Sequence, residues 1–369
     1  MKYYIIAGEA SGDLHGSNLV KELKLKDSSA DIRCWGGDLM QAAGATLVKH
    51  YRQLAFMGFI EVVMNLRTIF KNLAFCKEDI AQYNPDVLVL IDYPGFNLRM
   101  ARWAKQQGIK VVYYISPQVW AWKENRVPAM KQSIDRMLVI LPFEKDYYRD
   151  KWNWAVEYVG HPLVRVVNEW PVTAERFSNK KIIALLPGSR KQEITKKLPI
   201  MLQLSTSFPD YQFIVAQAPG QEDSFYESML APYSNVSSVR NQTYQLLSQS
   251  TAALVTSGTA TLETALFGVP EVVCYKGSSI SYQIAKRLIK VKYISLVNLI
   301  MDKPVVKELI QDELTPENLS LELKALTSNP QRIQQVQQDY AALKAILSAG
   351  GDASAKAAKL VYEFVQKGN

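Results

Sequence analysis

Asp92 closes an uninterrupted apolar run, Val87 to Ile91, and opens the segment Asp92-Tyr93-Pro94-Gly95-Phe96-Asn97. A carboxylate at the end of a buried strand is costly unless it is partnered or used. Asp92 is therefore a candidate general base and, equally, a candidate cap for the turn into a following helix. A second chemistry-bearing stretch is Gly8-Glu9-Ala10-Ser11-Gly12-Asp13, with His15 just beyond it. It follows the β-prone residues 3–7 and precedes a helical pattern of Leu14, Leu19, Val20 and Leu23. A strand, a small-residue turn and a helix start leave backbone N–H groups open to an oxygen-rich ligand. The bland alternative is a tight turn capped by Ser11 or Asp13. The glycines do not fit G-x-G-x-x-G, which disfavours a dinucleotide site.

Two further turns have the same design. Leu186-Pro187-Gly188-Ser189-Arg190 follows a strand-like run, with Glu193 and Lys196 downstream on a helical pattern. Proline fixes the entry to the turn, glycine permits close approach, and Arg190 offers a bidentate fork to phosphate. Ser257-Gly258-Thr259-Ala260-Thr261-Leu262-Glu263 opens a helix whose free N–H groups can hold a pyrophosphate. An ordinary N-cap with Glu263 in the first turns is the alternative. Two such turns in one half of the chain point to a nucleotide diphosphate. Tyr114 to Lys123 carries Trp120 and Trp122, which could line a sugar or acyl site, although aromatic pairs more often belong to the core. His161 sits in Gly160-His161-Pro162. With three histidines and no clustered partners, no metal site is expected.

These residues need a scaffold that gathers strand ends. Strand-like runs at 3–7, 32–36, 87–92, 111–115, 137–140 and 156–159 alternate with helical patterns. Such alternation predicts a mostly parallel, doubly wound sheet, with ligands at the carboxyl ends of its strands. A polar stretch beginning at Asn168 reads as a linker. The pattern restarts with runs at 181–186, 212–216, 252–256 and 269–275. The expectation is an α/β chain of two domains, 1–167 and 168–345, with a cleft between them. The tail 331–367 looks helical and is broken at Gly350-Gly351-Asp352.

The chain has 369 residues, enough for two domains, and 48% of them are hydrophobic. Charged residues make up 21%, well away from a disordered composition. A net charge of +8 permits anionic partners without selecting one, and no nucleic-acid partner is expected. Cys34, Cys76 and Cys274 lack paired spacing, which argues against a disulfide framework and fits a reduced, cytoplasmic setting. No signal peptide or spanning segment is read in the sequence. Residues 56–73 are unusually apolar: Phe56, Phe59, Ile60, Val63, Leu66, Phe70 and Leu73 recur at helical spacing. Met57, Val62, Met64 and Ile69 broaden the stripe, and Arg67 and Lys71 flank it. Such a helix is either deeply buried or partly immersed in lipid.

Taken in order, these motifs resemble the lipid-A-disaccharide synthase family. The matching segments begin with GEASGD at 8–13, MGFIEV at 57–62, IDYPGFN at 91–97, SPQVWAW at 116–122, LPFEK at 141–145 and GHPL at 160–163. They continue with LPGSR at 186–190, SGTATLE at 257–263 and LVNLI at 296–300. The resemblance implies a GT-B fold, two Rossmann-like doubly wound domains facing a central cleft. It implies an inverting transfer from UDP-2,3-diacylglucosamine to 2,3-diacylglucosamine 1-phosphate (lipid X), giving a β-1,6-linked disaccharide 1-phosphate and UDP. No metal or other cofactor is implied. In that reading Asp92 takes the acceptor proton, while Gly188, Ser189, Arg190, Ser257, Gly258, Thr259 and Glu263 hold the diphosphate. The resemblance adds Asn298, Glu308 and Gln311 near the nucleotide, with Glu308 suited to paired ribose hydroxyls. Glu9, Ser11, Gly12, His15 and Trp120 would face the sugars. The stripe from Phe56 and Met57 to Phe70 would take acyl chains and dock on the cytoplasmic leaflet of the inner membrane. Some family members carry an acidic residue where this chain has Gly95, which bears on acceptor orientation.

Two competing readings follow from the same residues. One is another GT-B enzyme, such as a UDP-sugar epimerase or a transferase acting on a soluble acceptor. The other is a non-catalytic membrane-surface protein, which leaves the diphosphate-type turns unexplained. A C-terminal helix at about 346–369 either returns to the first domain or crosses to a neighbouring subunit in a homodimer.

Overall fold

The computed structural model describes residues 1–54, 66–171, 175–278 and 291–367. They form two compact units, Met1–Pro162 with Leu347–Asn369, and Leu163–Ile346. The first unit holds strands β1 Lys2–Ala7, β2 Asp31–Gly36, β3 Thr46–His50, β4 Val87–Ile91, β5 Lys110–Tyr114, β6 Arg136–Val139 and β7 Glu157–Tyr158. All pair in parallel, in the order β3-β2-β1-β4-β5-β6-β7. The order reverses between β1 and β4. There, successive connections leave towards opposite faces and a crevice opens beyond the strand ends. The register aligns Ala7 with Ile91, so the turns after these two strands are neighbours.

The central strands β1 and β4 are covered on both faces, which is why they read as unbroken apolar runs. Tyr4, Ile6, Leu88 and Leu90 pack into one core; Tyr3, Ile5, Val87, Val89 and Ile91 pack into the other. The helix Ala353–Gln366 seals the second core with Ala357, Ala358, Val361 and Val365. These lie against Leu19, Val20 and Leu23 of the helix Ala10–Lys26. The bare backbone of Gly160 lets Gly350 and Gly351 pass close, since a methyl group there would come within 2.6 Å of the Gly351 carbonyl.

The second unit repeats the plan with β8 Lys181–Leu186, β9 Tyr211–Gln217, β10 Val236–Arg240, β11 Ser250–Thr256, β12 Glu271–Tyr275 and β13 Lys307–Ile310. Their order is β10-β9-β8-β11-β12-β13, again all parallel, and the reversal falls between β8 and β11. Leu186 lies beside Val255. The Pro187–Arg190 turn and the Ser257–Thr259 turn are thus adjacent.

Several expectations need adjustment. β4 ends at Ile91, and Asp92 lies outside the ladder with φ +44°. The helix Ala10–Lys26 starts after Glu9 with no side-chain cap, so neither Ser11 nor Asp13 caps it. The Asp13 carboxylate instead accepts the N–H groups of Gly37, Leu39 and Met40 at 2.8, 3.1 and 3.0 Å. It therefore caps the neighbouring short helix Asp38–Ala42. Of the 56–73 stripe, Phe56, Met57, Phe59, Ile60 and Val63 lie outside the described residues. The helix Leu66–Tyr83 carries the rest: Leu73 is buried, and Phe70 is 62% exposed. No helix among the described residues is long and apolar enough to cross a membrane.

Asp13→Ala removes three N–H acceptors at one buried point. Loss of about 2 kcal/mol from the first unit is expected in urea unfolding. An unchanged midpoint would show that the cap contributes nothing.

Candidate functional site

The first cluster sits at the β1/β4 reversal. Asp92 and Tyr93 are consecutive non-glycine residues in the left-handed region, at φ +44° and +48°. Backbone of this kind persists only when its surroundings hold it. The Asp92 carbonyl accepts the Asn97 side-chain amide at 2.8 Å and the Tyr113 hydroxyl at 2.6 Å. The Asn97 amide also reaches the Ile91 carbonyl at 3.1 Å. These bonds hold the Asp92 backbone in that conformation. Opposite it, Gly8 has no side chain because the Tyr93 ring occupies that space; an added Cβ would lie 2.3 Å from the ring.

Burial pushes the Asp92 carboxyl up to about 6, and the negative charge of Glu9 adds to the shift. A carboxylate tuned in this direction is a better proton acceptor near neutral pH than an exposed one. Glu9 and Ser11 are exposed beside it, while Gly12 is buried where the helix meets Ala7. His15 is buried, and burial lowers its imidazole to about 4. His161 is lowered to about 3 by burial and by His15, so both rings are neutral at physiological pH. Among the described residues no group of three His, Cys, Asp or Glu is arranged to hold a metal ion.

Trp120 is buried, and its indole N–H donates to Glu144 at 3.1 Å. Glu144 also accepts the Leu141 N–H at 3.0 Å, and burial raises its carboxyl to about 8. Trp122 is exposed instead, with the Lys123 ammonium 3.6 Å above its ring.

The second cluster sits at the β8/β11 reversal. Gly188 takes φ +116°, and Gly258 takes φ +146° at the start of the helix Thr259–Leu266. Gly258 and Thr259 are exposed, and nothing lies within 4 Å of the space a Gly258 side chain would fill. The start of this helix, whose first N–H groups have no carbonyl four residues back, is therefore accessible. Arg190 is 66% exposed, with Glu193 at 3.5 Å. Ser189 is exposed. The Ser257 hydroxyl is spent on the Ile294 carbonyl at 2.8 Å.

Other residues of the expected set serve the fold first. Glu263 accepts the Tyr244 hydroxyl at 2.7 Å, and burial raises its carboxyl. Both Glu308 oxygens take backbone N–H groups of Ile294 and Ser295, and one takes the Asn298 amide at 2.9 Å. Asn298 is further locked to Val306 through its amide and its carbonyl. Of these contacts only the Ile294 N–H reaches Oε2, which keeps acceptor capacity for a hydroxyl. Gln311, with φ +55°, accepts the Gly277 N–H at 2.9 Å.

Lys197 is the residue the sequence reading missed, having pointed to Lys196. It is 2% exposed, and its ammonium lies 3.6 Å from the space a Gly188 side chain would fill. The signal was present: Ile194, Leu198 and Met201 define the buried face of the helix Lys191–Leu202, and position 197 falls on it. A separate cavity of about 630 Å³ lies at the amino ends of β8 and β11, lined by Trp170, Arg176, Lys181 and Gln249 among others.

The chain matches the family model described as lipid-A-disaccharide synthetase over residues 3–363. It is similar to the lipid-A-disaccharide synthase of Geobacter metallireducens, 38% identical over 374 residues, covering 98% of this chain and 97% of the relative. Against the Syntrophus aciditrophicus protein of the same name it is 39% identical over 378 residues, with 98% and 97% covered. Among solved structures, UDP-GlcNAc 2-epimerase from Neisseria meningitidis superposes with TM-score 0.68 at 13% identity, covering 100% of both chains. The kitacinnamycin glycosyltransferase gives 0.66 at 14% identity, covering 98% of each. At such identities the likeness shows the fold alone, which is GT-B.

The raised carboxyl at Asp92 has a thermodynamic signature. An acid whose folded pKa lies above its unfolded value costs stability once the pH exceeds the unfolded pKa. The cost grows between about pH 4 and 6 and is constant above. Asp92→Asn should therefore raise the melting temperature at pH 7.5, with the gain vanishing towards pH 4. An equal effect at both pH values would contradict the assignment.

Proposed function

Because the chain belongs to the lipid-A-disaccharide synthetase family, we propose that it joins UDP-2,3-diacylglucosamine to 2,3-diacylglucosamine 1-phosphate. The acceptor 6-hydroxyl oxygen attacks the anomeric carbon of the donor, and its proton passes to Asp92. The bond from that carbon to the diphosphate breaks, and the electron pair leaves on UDP. Attack from the face opposite the leaving group converts the α-linked donor into a β-1,6-linked product.

The observation that carries this reading is the placement of the turns. Each sheet puts small-residue turns at its own order reversal, one set bearing a tuned carboxylate and the other bearing open N–H groups and Arg190. An inverting transfer needs a base and a means of stabilising a departing diphosphate. Fixed cations and helix N–H dipoles would take the part that a metal ion plays in other transferases. Glu9 and Ser11, exposed beside Asp92, are suited to sugar hydroxyls.

The acyl chains and the membrane enter through the helix Leu66–Tyr83. Exposed Phe70 between Arg67 and Lys71 supports peripheral docking on an anionic leaflet, the apolar ring entering the interface and the cations meeting lipid head groups. The cytoplasmic leaflet of the inner membrane is the surface where such substrates and a reduced chain would meet.

A transfer assay with donors of graded acyl length tests reaction class and substrate together. UDP release should require acylation of both sugars. Asp92→Ala should lower turnover by about 10²–10⁴-fold while leaving UDP affinity unchanged in calorimetry. Arg190→Ala should weaken UDP binding by about tenfold or more. Normal turnover in Asp92→Ala would remove it from the mechanism, and efficient transfer between unacylated sugars would favour a soluble-acceptor enzyme.

A further inference from the structure

Lys197 is an unusual residue to find inside the second unit. It lies on the buried face of the helix Lys191–Leu202, with Ile194, Leu198 and Met201. At 2% exposure it has lost nearly all contact with solvent. Among the described residues its ammonium has no hydrogen bond and no ion pair. An ammonium with so little water around it and no partner is costly to keep. A lysine here is retained against that cost, and a methionine would fill the same space with none of it.

The ammonium is directed at the Gly188 turn. Gly188 holds φ +116°, and the space a side chain there would fill is lined by the Glu193 carboxylate and, just beyond it, by the Lys197 ammonium. A Cβ at Gly188 would lie 2.6 Å from Glu193 Oε2 and 3.6 Å from Lys197 Nζ. The titratable groups facing Lys197 are Glu193 and Arg190 at the start of its own helix, and the neutral Cys274 thiol on β12. Glu193 pairs with Arg190 at 3.5 Å, so the nearby carboxylate is already engaged by another cation. The local sum is positive, beside a turn whose neighbour exposes helix N–H groups.

We propose that Lys197 is a binding residue for the diphosphate of the donor, reaching it beside the Gly188 turn. This rests on the reading of the second unit as the UDP site. A phosphate oxygen there would give the buried ammonium the charge-assisted partner it lacks and would draw on the same anion as Arg190. Burial with Arg190 nearby lowers the Lys197 ammonium to about 8 in the free protein, so its charge is available at neutral pH and lost above it.

The test is calorimetric titration of the full chain with UDP and, separately, with uridine, for wild type, Lys197→Met and Lys197→Gln. Lys197→Met should weaken UDP by about 10- to 100-fold and leave uridine unchanged, because uridine carries no phosphate. Wild-type affinity for UDP should fall by about tenfold between pH 7 and pH 9, and Lys197→Met should show no such fall. Lys197→Met should also melt higher than wild type, having exchanged a buried charge for a thioether. Wild-type UDP affinity in Lys197→Met, or parallel loss of UDP and uridine, overturns the proposal. The wild-type pH profile keeps the test open if both variants fold poorly. Absence of UDP binding by wild type at any pH would instead overturn the reading of the second unit, and the proposal with it.

Discussion

The carbonyl of Asp92 accepts two side-chain hydrogen bonds, and most of the first cluster depends on them. Asn97 and Tyr113 hold it at 2.8 and 2.6 Å, and with it a pair of left-handed residues. Each such residue costs of order 1–3 kcal/mol, a strain usually kept only where it serves a purpose. Here it turns a strand end sharply at the order reversal. Gly8 is the matching concession on β1, where no side chain can coexist with the Tyr93 ring. The same geometry that exposes the Asp92 carboxyl to a ligand partly buries it, and burial is what raises its affinity for a proton.

The second unit solves a related problem with the opposite charge. Its turns offer backbone N–H groups, Arg190 and a buried ammonium; of the carboxylates nearby, Glu193 pairs with Arg190 and two others are committed to the fold. Glu308 holds the 294–298 segment, and Glu263 is bonded to Tyr244. Removing negative charge from the vicinity of an anion site is as useful as adding positive charge. The two units thus share a topology and differ in what they place at its reversal point. One carries a proton acceptor and the other carries anion donors, a division that suits a reaction with one nucleophile and one charged leaving group.

Much of this was legible in the sequence. The parallel core strands β1, β4, β5, β8, β11 and β12 are apolar on both faces and announce themselves as continuous runs. Three edge strands did not. β3 (TLVKH), β10 (VSSVR) and β13 (KELI) are covered on one side only, so their polar residues break the run. Side-chain commitments were equally hidden. Asp13 caps a helix 24 residues away, and Glu308 is engaged by a segment that its own neighbourhood does not identify. The family resemblance supplied Glu308 and Asn298 as nucleotide residues, and their bonds to the surrounding loop were not legible in the sequence. Lys197 and Lys196 are indistinguishable as letters, and only the helical phase separates the buried one from its neighbour.

The central claim is that the two turns at the β8/β11 reversal grip a uridine diphosphate. Hydrogen exchange of the full chain, with and without saturating UDP, tests it most directly. The account predicts slowed exchange at the amides of Gly188 to Lys191 and of Gly258 to Thr261. Protection confined to the opposite end of the sheet, around Trp170 and Lys181, with both turns unchanged, would contradict it.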